Sequence, residues 1–189
     1  MNLVSEEDHL FITGCIKGDR NAQNGLYEKY SPKMLAVCFR YSKSREEAED
    51  VLLEGFMKVF TNIQNFKSEG SFEGWIRKIM VNTALAKYRN KSGMLNAVNI
   101  EKVKINYLSS EDITSDVNAK DLIRMIQCLP PSYQMVFNLY AFEGMKHREI
   151  AQELGISEGT SKSNLSDARA ILQRAVNNNF FVGQSVVNE

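Results

Sequence analysis

The segment from Arg45 to Ile63 constrains the fold more than any other part of the sequence. Its apolar residues recur at the three- and four-residue spacing of a helix, while charged residues occupy the other side. Most of its acidic residues lie in the first turns, where the helix dipole favours them. The apolar positions are Ala48, Val51, Leu52, Phe56, Val59, Phe60 and Ile63. The pattern predicts an amphipathic helix with one buried side.

Helical periodicity also runs through most of the remaining sequence, which has only 3 prolines in 189 residues and few hairpin signals. Ser5, followed three residues later by Asp8, predicts a helix N-cap. Further helices are predicted from about Asn21 to Tyr41 and from about Ser71 to Arg89, and helical signals resume at about Val117. The sequence therefore predicts an all-α protein.

The helical segments fall into two groups. We predict two small helical domains, at residues 21–90 and 117–176, joined by a flexible linker at 91–116. At about 25 residues, rich in Asn and Ser and without a sustained period, the linker is too long for a turn. An N-terminal arm or helix at 1–20 and a tail at 177–189, expected to be frayed, complete the chain.

The charge balance excludes a chain that binds nucleic acid through overall positive charge. The sequence has 23 Lys and Arg against 23 Asp and Glu. Residues 21–92 nevertheless carry 12 basic and 8 acidic side chains, and residues 74–91 carry 5 basic side chains and no acidic one. Any contact with DNA must therefore use local positive charge or depend on a partner.

Nothing in the sequence indicates catalysis or metal binding. Cys15, Cys38 and Cys128 form no CxxC pair and indicate a reducing compartment. The two histidines, His9 and His147, have no evident nucleophile partner, and no phosphate-binding loop or metal-ligand spacing is present. With no visible signal peptide or apolar run of membrane-spanning length, we expect a cytoplasmic, soluble protein without membrane insertion, metal, cofactor or enzymatic activity.

A helix-turn-helix is the best-defined motif. After a first helix beginning at His147, Gly155 is predicted as a left-handed C-cap, Ile156 fills the corner, and Ser157 caps the second helix. The predicted buried stripe of that helix is Leu165, Ala168, Leu172, Ala175 and Val176. Its predicted outward residues are Lys162, Ser166, Arg169 and Gln173.

The second helix of this motif has features of a helix that contacts DNA. Small residues near its start would let the backbone approach phosphates closely, namely Gly159, Thr160, Ser161 and Ser163. Asp167 counts against this interpretation, because an acidic side chain facing phosphate is repelled. The alternative is an ordinary helical corner whose outer side is only solvated.

The segment before and within the predicted helix 71–89 suits unpaired DNA. The polar loop at 65–70 contains one aromatic residue, Phe66, and Lys78, Asn82 and Arg89 form a stripe beside Trp75. Bases stack on aromatic rings and phosphates pair with Lys and Arg. The alternative is that Phe66, Phe72 and Trp75 belong to the core and the stripe is merely solvated.

In this order, the two modules resemble bacterial sigma-70 factors. Residues 48–60 resemble the helix that binds RNA polymerase, and residues 66–84 resemble the part of region 2 that reads the −10 promoter element. Residues 129–172 resemble region 4, which reads the −35 element. The presence of only these two regions, over residues 20–176, is similar to the small extracytoplasmic-function (ECF) sigma factors.

The resemblance implies three groups of contact residues. Polymerase binding is implied for Asp50, Glu54, Phe56 and Met57. Contact with the −10 strand, including capture of a flipped base by the loop, is implied for Phe66, Lys67, Ser68, Glu69, Gly70, Trp75, Arg77, Lys78 and Asn82. Contact with the −35 duplex is implied for Thr160, Lys162, Ser163, Ser166 and Arg169. Departures from what relatives often carry occur at Leu53, Asn164 and Asp167.

The implied function is promoter-specific transcription initiation. The expected partners are core RNA polymerase, promoter DNA and an anti-sigma factor. The alternative is a stand-alone helix-turn-helix transcriptional regulator, whose first module would sense a signal or dimerise. A regulator would bind duplex DNA without polymerase, whereas a small sigma factor would bind it weakly or not at all.

Overall fold

The computed structural model describes residues 4–95 and 119–185, and these residues form helices without a β-strand. The prediction of an all-α protein is confirmed. The helices are α1 (Glu6–Ile16), α2 (Arg20–Tyr41), α3 (Arg45–Asn62), α4 (Phe72–Leu95), α5 (Ala119–Cys128), α6 (Pro131–Ala141), α7 (His147–Leu154) and α8 (Glu158–Ser185). A single 3-10 turn at Ile63–Asn65 follows α3.

The chain divides into two compact units at residues 88 and 89. The first contains α1 to α3 and most of α4, and the second contains α5 to α8. None of the described helices is both long and apolar enough to cross a membrane.

Two helices continue further than the sequence predicts. Helix α4 passes its predicted end near Arg89 and reaches Leu95, inside the stretch predicted as a linker. Helix α8 reaches Ser185, inside the tail predicted to be frayed. Each residue added to an existing helix gains a hydrogen bond without the cost of nucleating a new helix. A helix can therefore continue beyond the segment in which its apolar residues are periodic. The remainder of the predicted linker and residues 186–189 lie outside the described residues.

Aromatic packing holds α4 against α2 in the first unit. Phe72, at the start of α4, is buried and lies edge-on to Tyr30 of α2, with their ring centroids 5.8 Å apart. Helix α4 also approaches α3 closely at Gly55, where any side chain would collide with the buried Met80. These contacts, with the hydrogen bond from Lys58 Nζ to Thr83 Oγ1 at 3.3 Å, hold α4 against α2 and α3.

A buried carboxylate fixes α1 to α2. Asp8 is 7% exposed, and its Oδ1 accepts hydrogen bonds from Lys29 Nζ at 2.7 Å and from the Tyr30 hydroxyl at 2.6 Å. Burial by itself would raise the pKa of Asp8, but the hydrogen bonds from Lys29 and Tyr30 outweigh it and lower that pKa. The Asp8 amide donates to Ser5 Oγ at 3.1 Å, which confirms the predicted N-cap.

Helix α8 is the centre of the second unit, where it contacts α5, α6 and α7. The core is formed by Met125, Ile126, Leu129, Ala168 and Leu172. The predicted stripe on α8 is confirmed, since Leu165 is also buried and Ala175 and Val176 pack against this core half-buried.

Asp8→Asn should lower the free energy of unfolding by about 1–3 kcal/mol at neutral pH, because Lys29 and Tyr30 lose a charged acceptor. The folded-state pKa of Asp8 lies below its ordinary value of 3.8, so its contribution is present above that pH and is lost as the pH falls through the folded pKa. The variant's stability should therefore fall less steeply than that of the wild type in this acidic range. Urea unfolding followed by circular dichroism across this pH range measures both effects.

Glu7→Gln is the matched control. Glu7 accepts from the same Lys29 Nζ at 2.7 Å, but its side chain is 62% exposed. Because solvent screens this charge, its removal should lower the free energy of unfolding by less than about 0.5 kcal/mol. Equal losses in the two variants would contradict a special role for the buried carboxylate.

Candidate nucleic-acid and polymerase interfaces

The outer side of α3 combines acidic and apolar groups. Asp50 is exposed, and Leu53 and Met57, one helical turn apart, are 55% and 70% exposed. Leu53 was not among the predicted polymerase contacts. An apolar residue on the polar side of the helical pattern was nevertheless a signal for an exposed contact there. Large apolar side chains exposed together on one helix face indicate a protein contact.

Phe56 does not belong to this outer side. It is 2% exposed, and its ring centroid lies 4.7 Å from that of Tyr27. Its predicted role as a direct polymerase contact is corrected, because a side chain buried in the core cannot reach a partner. Its burial follows from the same apolar stripe that predicted the helix.

Glu54 is engaged within the chain. Lys58 Nζ donates to Glu54 Oε1 at 2.7 Å, and Lys87 Nζ lies 3.6 Å from Oε2. The hydrogen bond from Lys58 lowers the pKa of Glu54, so the carboxylate is ionised at neutral pH. The carboxylate therefore holds two cations of the first unit, in addition to any contact it makes with a partner.

The loop between α3 and α4 forms one wall of a cleft of about 370 Å³, which we call the loop cleft. Its lining residues are Asn65, Phe66, Lys67, Glu69, Gly70, Ser71, Gly74, Trp75 and Lys78. Ser68 turns the loop with a φ of 57° and does not line the cleft. Ser71 ends the loop by accepting a hydrogen bond from the Gly74 amide at 3.1 Å.

Packed aromatic rings support the loop cleft from the side of the core. Phe66 lies 5.0 Å from Phe72 and 5.5 Å from Trp75, measured between ring centroids. Phe72 is core, whereas Phe66 and Trp75 are half-buried and line the cleft. Core packing is therefore confirmed for Phe72, while stacking of Phe66 and Trp75 on DNA bases stays a prediction.

A second cleft of about 360 Å³, which we call the amide cleft, lies on the other side of Asn65 and Trp75. Its lining residues are Lys58, Asn62, Asn65, Trp75, Ile79, Asn82 and Thr83. Asn82 lines this cleft and not the loop cleft. Sequence reasoning missed Asn62 and Lys58, which come from the end of α3, a separate element.

Arg77 lines neither cleft. At 100° per residue, it lies about 200° around α4 from Trp75. Arg77 is half-buried, whereas Lys78 and Asn82 are exposed. Contact of Arg77 with the −10 strand therefore stays a prediction, and it would have to be made outside both clefts.

The predicted turn of the helix-turn-helix is confirmed. Gly155 has a φ of 66°, and the Ile156 amide donates to the Ala151 carbonyl at 3.0 Å. Ser157 Oγ accepts from the Thr160 amide at 2.9 Å and so caps α8. Only glycine adopts this left-handed conformation at low cost.

The outward side of α8 carries cations that already have partners within the chain. Lys162 Nζ pairs with Glu158 Oε1 at 2.7 Å. The Arg169 guanidinium lies 5.2 Å from the centre of the Tyr140 ring, which stacks on His147 at 5.0 Å. The predicted outward residues Lys162, Ser166, Arg169 and Gln173 are exposed, as are Thr160 and Ser163.

Two polar residues of α8 face inward instead. Ser161 is fully buried and its Oγ lies 3.0 Å from His147 Nδ1, so it does not offer the open approach to phosphates that was expected. Asn164, a departure from the family pattern, is buried as well.

Asp167 hydrogen-bonds to Tyr133. Burial raises the pKa of Tyr133 most, and the bond to Asp167 raises it further. The acidic side chain is thus tied to α6.

Metal chemistry has no evident site in the described parts of both units. No group of three His, Cys, Asp or Glu side chains there is arranged to hold an ion. The groups that line the two clefts include amides, aromatic rings and lysines, which suit bases and phosphates.

Comparison with known families decides what these surfaces belong to. The model of sigma-70 region 2 matches residues 26–93, and the model of sigma-70 region 4 matches residues 119–172, together more than half of the chain. The chain belongs to the sigma-70 family. It is a sigma factor of the ECF type, with the loop cleft and the amide cleft in region 2 and the helix-turn-helix in region 4.

Relatives match this sigma factor over nearly its full length. It is 24% identical over 185 residues to the RNA polymerase sigma-H factor of Pseudomonas aeruginosa, covering 92% of this chain and 96% of that one. It is 27% identical over 180 residues to the ECF RNA polymerase sigma-E factor of Escherichia coli K12, covering 89% and 94%.

A solved structure shares the fold. It is the sigma factor RpoE in complex with the anti-sigma factor NepR from Bartonella quintana, with a TM-score of 0.50 and 21% identity. The match covers 82% of this chain and 96% of that one.

Gly155→Ala should destabilise the second unit by about 1–2 kcal/mol, because alanine is strained at a positive φ. Gly159→Ala is the matched control on the same motif, since it has ordinary backbone and only Ser157 Oγ within contact, at 3.6 Å. The control should be neutral or slightly stabilising, because alanine favours helix. Urea unfolding of both variants measures the difference, and a larger loss in Gly159→Ala would contradict the role assigned to the turn.

Proposed function

We propose that this sigma factor docks on core RNA polymerase through α3, captures the −10 strand in region 2 and contacts the −35 duplex through α8. The observation that carries the proposal is the presence of both DNA-reading regions in one chain, each with an exposed surface suited to its target. Sigma factors are initiation factors rather than enzymes, and we propose no catalytic role and a cytoplasmic location beside the polymerase and DNA.

Docking on polymerase is assigned to the outer side of α3. Asp50, Leu53 and Met57 form a mixed acidic and apolar strip that no described part of the chain covers. Burial of exposed apolar side chains supplies affinity, and the acidic groups supply orientation. Glu54 contributes by holding Lys58 and Lys87 in place.

Capture of the −10 strand is assigned to the loop cleft. Phe66 and Trp75 offer aromatic surface to a base, Glu69 and the loop backbone offer hydrogen bonds, and Lys67 and Lys78 lie at the cleft for phosphates. Enzymes and factors that remove a base from the stack combine these same elements.

Contact with the −35 duplex is assigned to the exposed side of α8, through Thr160, Lys162, Ser163, Ser166 and Arg169. To contact a phosphate or base, Lys162 must first break its ion pair with Glu158. The cost of breaking this pair limits what Lys162 adds to the affinity for the −35 duplex. Arg169 is held over Tyr140 without an acidic partner in that contact, and arginine pairs well with guanine or phosphate.

An anti-sigma protein is the third proposed partner, beside polymerase and promoter DNA. Support comes from the Bartonella quintana sigma factor, which shares the fold and was solved with an anti-sigma factor.

Transcription in vitro tests the function as a whole. The full chain would be combined with sigma-free core polymerase and a randomised promoter library, and transcript starts would be sequenced. Core-dependent starts that share −35 and −10 elements are expected. Binding of the chain to duplex DNA without polymerase, with no such starts, would favour a stand-alone regulator instead.

Replacing both Leu53 and Met57 with alanine should weaken binding to core polymerase about tenfold or more, because two exposed side chains lose their apolar burial. Fluorescence anisotropy of a labelled chain titrated with core polymerase measures the affinity. Leu10→Ala is the control, since Leu10 is 73% exposed but lies on α1. If the control weakens binding as much as the double variant, docking on α3 is wrong.

Arg169→Ala should reduce initiation from promoters that depend on the −35 element by about tenfold, the loss typical of one arginine contact. Arg174→Ala is the control. Arg174 is also exposed on α8, but it lies about 140° around the helix from Arg169. Transcription assays with and without the −35 element measure the effect. Equal losses from the two arginine variants, or a loss that persists without the −35 element, would contradict the assignment.

A further inference from the structure

Side chains from three helices of region 4 meet at the ring of Tyr140. This ring, near the end of α6, stacks on the imidazole of His147, at the start of α7, with the two ring centroids 5.0 Å apart and the planes inclined by 27°. The Arg169 guanidinium of α8 lies 5.2 Å from the centre of the same Tyr140 ring. One aromatic ring therefore contacts two helices besides its own, although Tyr140 is 36% exposed.

A buried hydroxyl group anchors the other side of this stack. His147 Nδ1 lies 3.0 Å from Ser161 Oγ, and Ser161 is fully buried in the first turns of α8. A buried hydroxyl keeps its hydrogen-bond partner, because leaving the group unsatisfied would be costly. Ser161 thus fixes the imidazole of His147, and the imidazole supports the ring of Tyr140.

These contacts form a closed loop that starts and ends on α8. They lead from Ser161 through the rings of His147 and Tyr140 to Arg169. Ser161 and Arg169 are eight residues apart, which is about 12 Å along the helix axis. The Arg169 side chain is therefore tied to the start of its own helix through α7 and α6, and not only through the backbone of α8.

A ring holds an arginine without neutralising its charge. Lys162, another cation proposed to contact the −35 duplex, is paired with Glu158 Oε1 at 2.7 Å and must leave this carboxylate to reach DNA. The Tyr140 ring instead attracts the Arg169 charge through its quadrupole, and it does not occupy the guanidinium N–H groups as a carboxylate would. Arg169 can therefore contact DNA while its guanidinium stays beside the ring.

Holding this arginine in place before DNA arrives favours binding. An arginine side chain loses rotamer freedom when it is fixed against a ligand, and that loss opposes binding. A side chain that is already ordered loses less freedom on binding, so its contact adds more to the affinity. Tyr140 supplies this order to Arg169 in the unbound chain.

We propose that Tyr140 is a positioning residue, which orders the Arg169 side chain for its contact with the −35 duplex. The inference rests on the proposed function of Arg169 and extends it. The aromatic ring of Tyr140 carries the role rather than its hydroxyl group, because the contacts with Arg169 and His147 are both made by the ring.

Initiation by the holoenzyme tests the proposal. Holoenzyme made from the full chain and core polymerase would transcribe two promoters that differ only in the presence of the −35 element, and the ratio of their transcripts would be measured. Tyr140→Leu should lower this ratio about threefold, the effect typical of one exposed contact between a cation and a ring. Tyr140→Phe is the matched control and should keep the wild-type ratio, because phenylalanine retains the ring.

A double-variant cycle separates positioning from a merely structural role. In a chain that carries Arg169→Ala, Tyr140→Leu should lower the ratio no further, since the side chain that the ring positions is gone. In a chain that carries Lys162→Ala, Tyr140→Leu should still lower the ratio about threefold, because Lys162 is held by Glu158 instead. Thermal unfolding followed by circular dichroism verifies folding, and Tyr140→Met, which also removes the ring, replaces Tyr140→Leu if that variant unfolds early.

Two outcomes would overturn the mechanism of positioning. If Tyr140→Leu lowers the ratio as strongly in the Arg169→Ala chain as in the wild type, Tyr140 does not act through Arg169 and the proposal is wrong. If Tyr140→Phe lowers the ratio as much as Tyr140→Leu, the hydroxyl group carries the effect and the proposal is wrong as well.

Two further outcomes separate the inference from the function on which it rests. If Arg169→Ala lowers the ratio and Tyr140→Leu does not, positioning by Tyr140 is wrong, while the contact of Arg169 with the −35 duplex stands. If Arg169→Ala leaves the ratio unchanged, the proposed contact of Arg169 itself fails, and the positioning role fails with it.

Discussion

Burial of the Phe72 ring is the contact on which the binding surface of region 2 depends. The ring lies edge-on to Tyr30 of α2 at 5.8 Å, and Phe66 and Trp75 pack against it at 5.0 and 5.8 Å. One buried side chain thus anchors α4 to the core and supports both aromatic walls of the loop cleft. A rigid support of this kind fixes binding groups in place before a ligand arrives, which lowers the cost of ordering them. The amide cleft depends on the same anchor, since Trp75 is its wall as well.

Internal ion pairs reduce the affinity that this chain of zero net charge can have for DNA by itself. Lys58 and Lys87 are held by Glu54, and Lys162 is held by Glu158. Non-specific affinity for DNA grows with the number of phosphates that cations neutralise, so paired cations contribute less to it. We expect such a chain to bind DNA poorly alone and to gain affinity when polymerase presents both of its regions to one promoter. The charge arrangement therefore favours dependence on the holoenzyme.

The amphipathic patterns were sufficient to predict the helices, the helix-turn-helix and its Gly155 turn, because these depend on local spacing and backbone conformation. They were less informative about individual contact residues. Phe56 lies on the apolar stripe and is core, although the resemblance implied a direct contact. Arg77 and Lys78 are neighbours in sequence, yet 100° of helical rotation per residue places only Lys78 at a cleft. Resemblance assigns a segment, whereas burial decides which of its side chains can reach a partner.

Local information in the chain is enough to specify all-α structure, two helical groups and a DNA-reading motif, since helical period, caps and left-handed glycine are properties of short segments. Tertiary packing alone decided that Asn62 and Asn65, near the end of α3, share a cleft with Asn82 of α4. Asn82 lies 20 positions from Asn62 and 17 positions from Asn65 in sequence. The grouping exists only because the buried contacts at Phe72 and Gly55 bring α4 against α2 and α3. No periodicity within either helix encodes such a distance, which is why the amide cleft emerges from the packed structure and not from the sequence pattern.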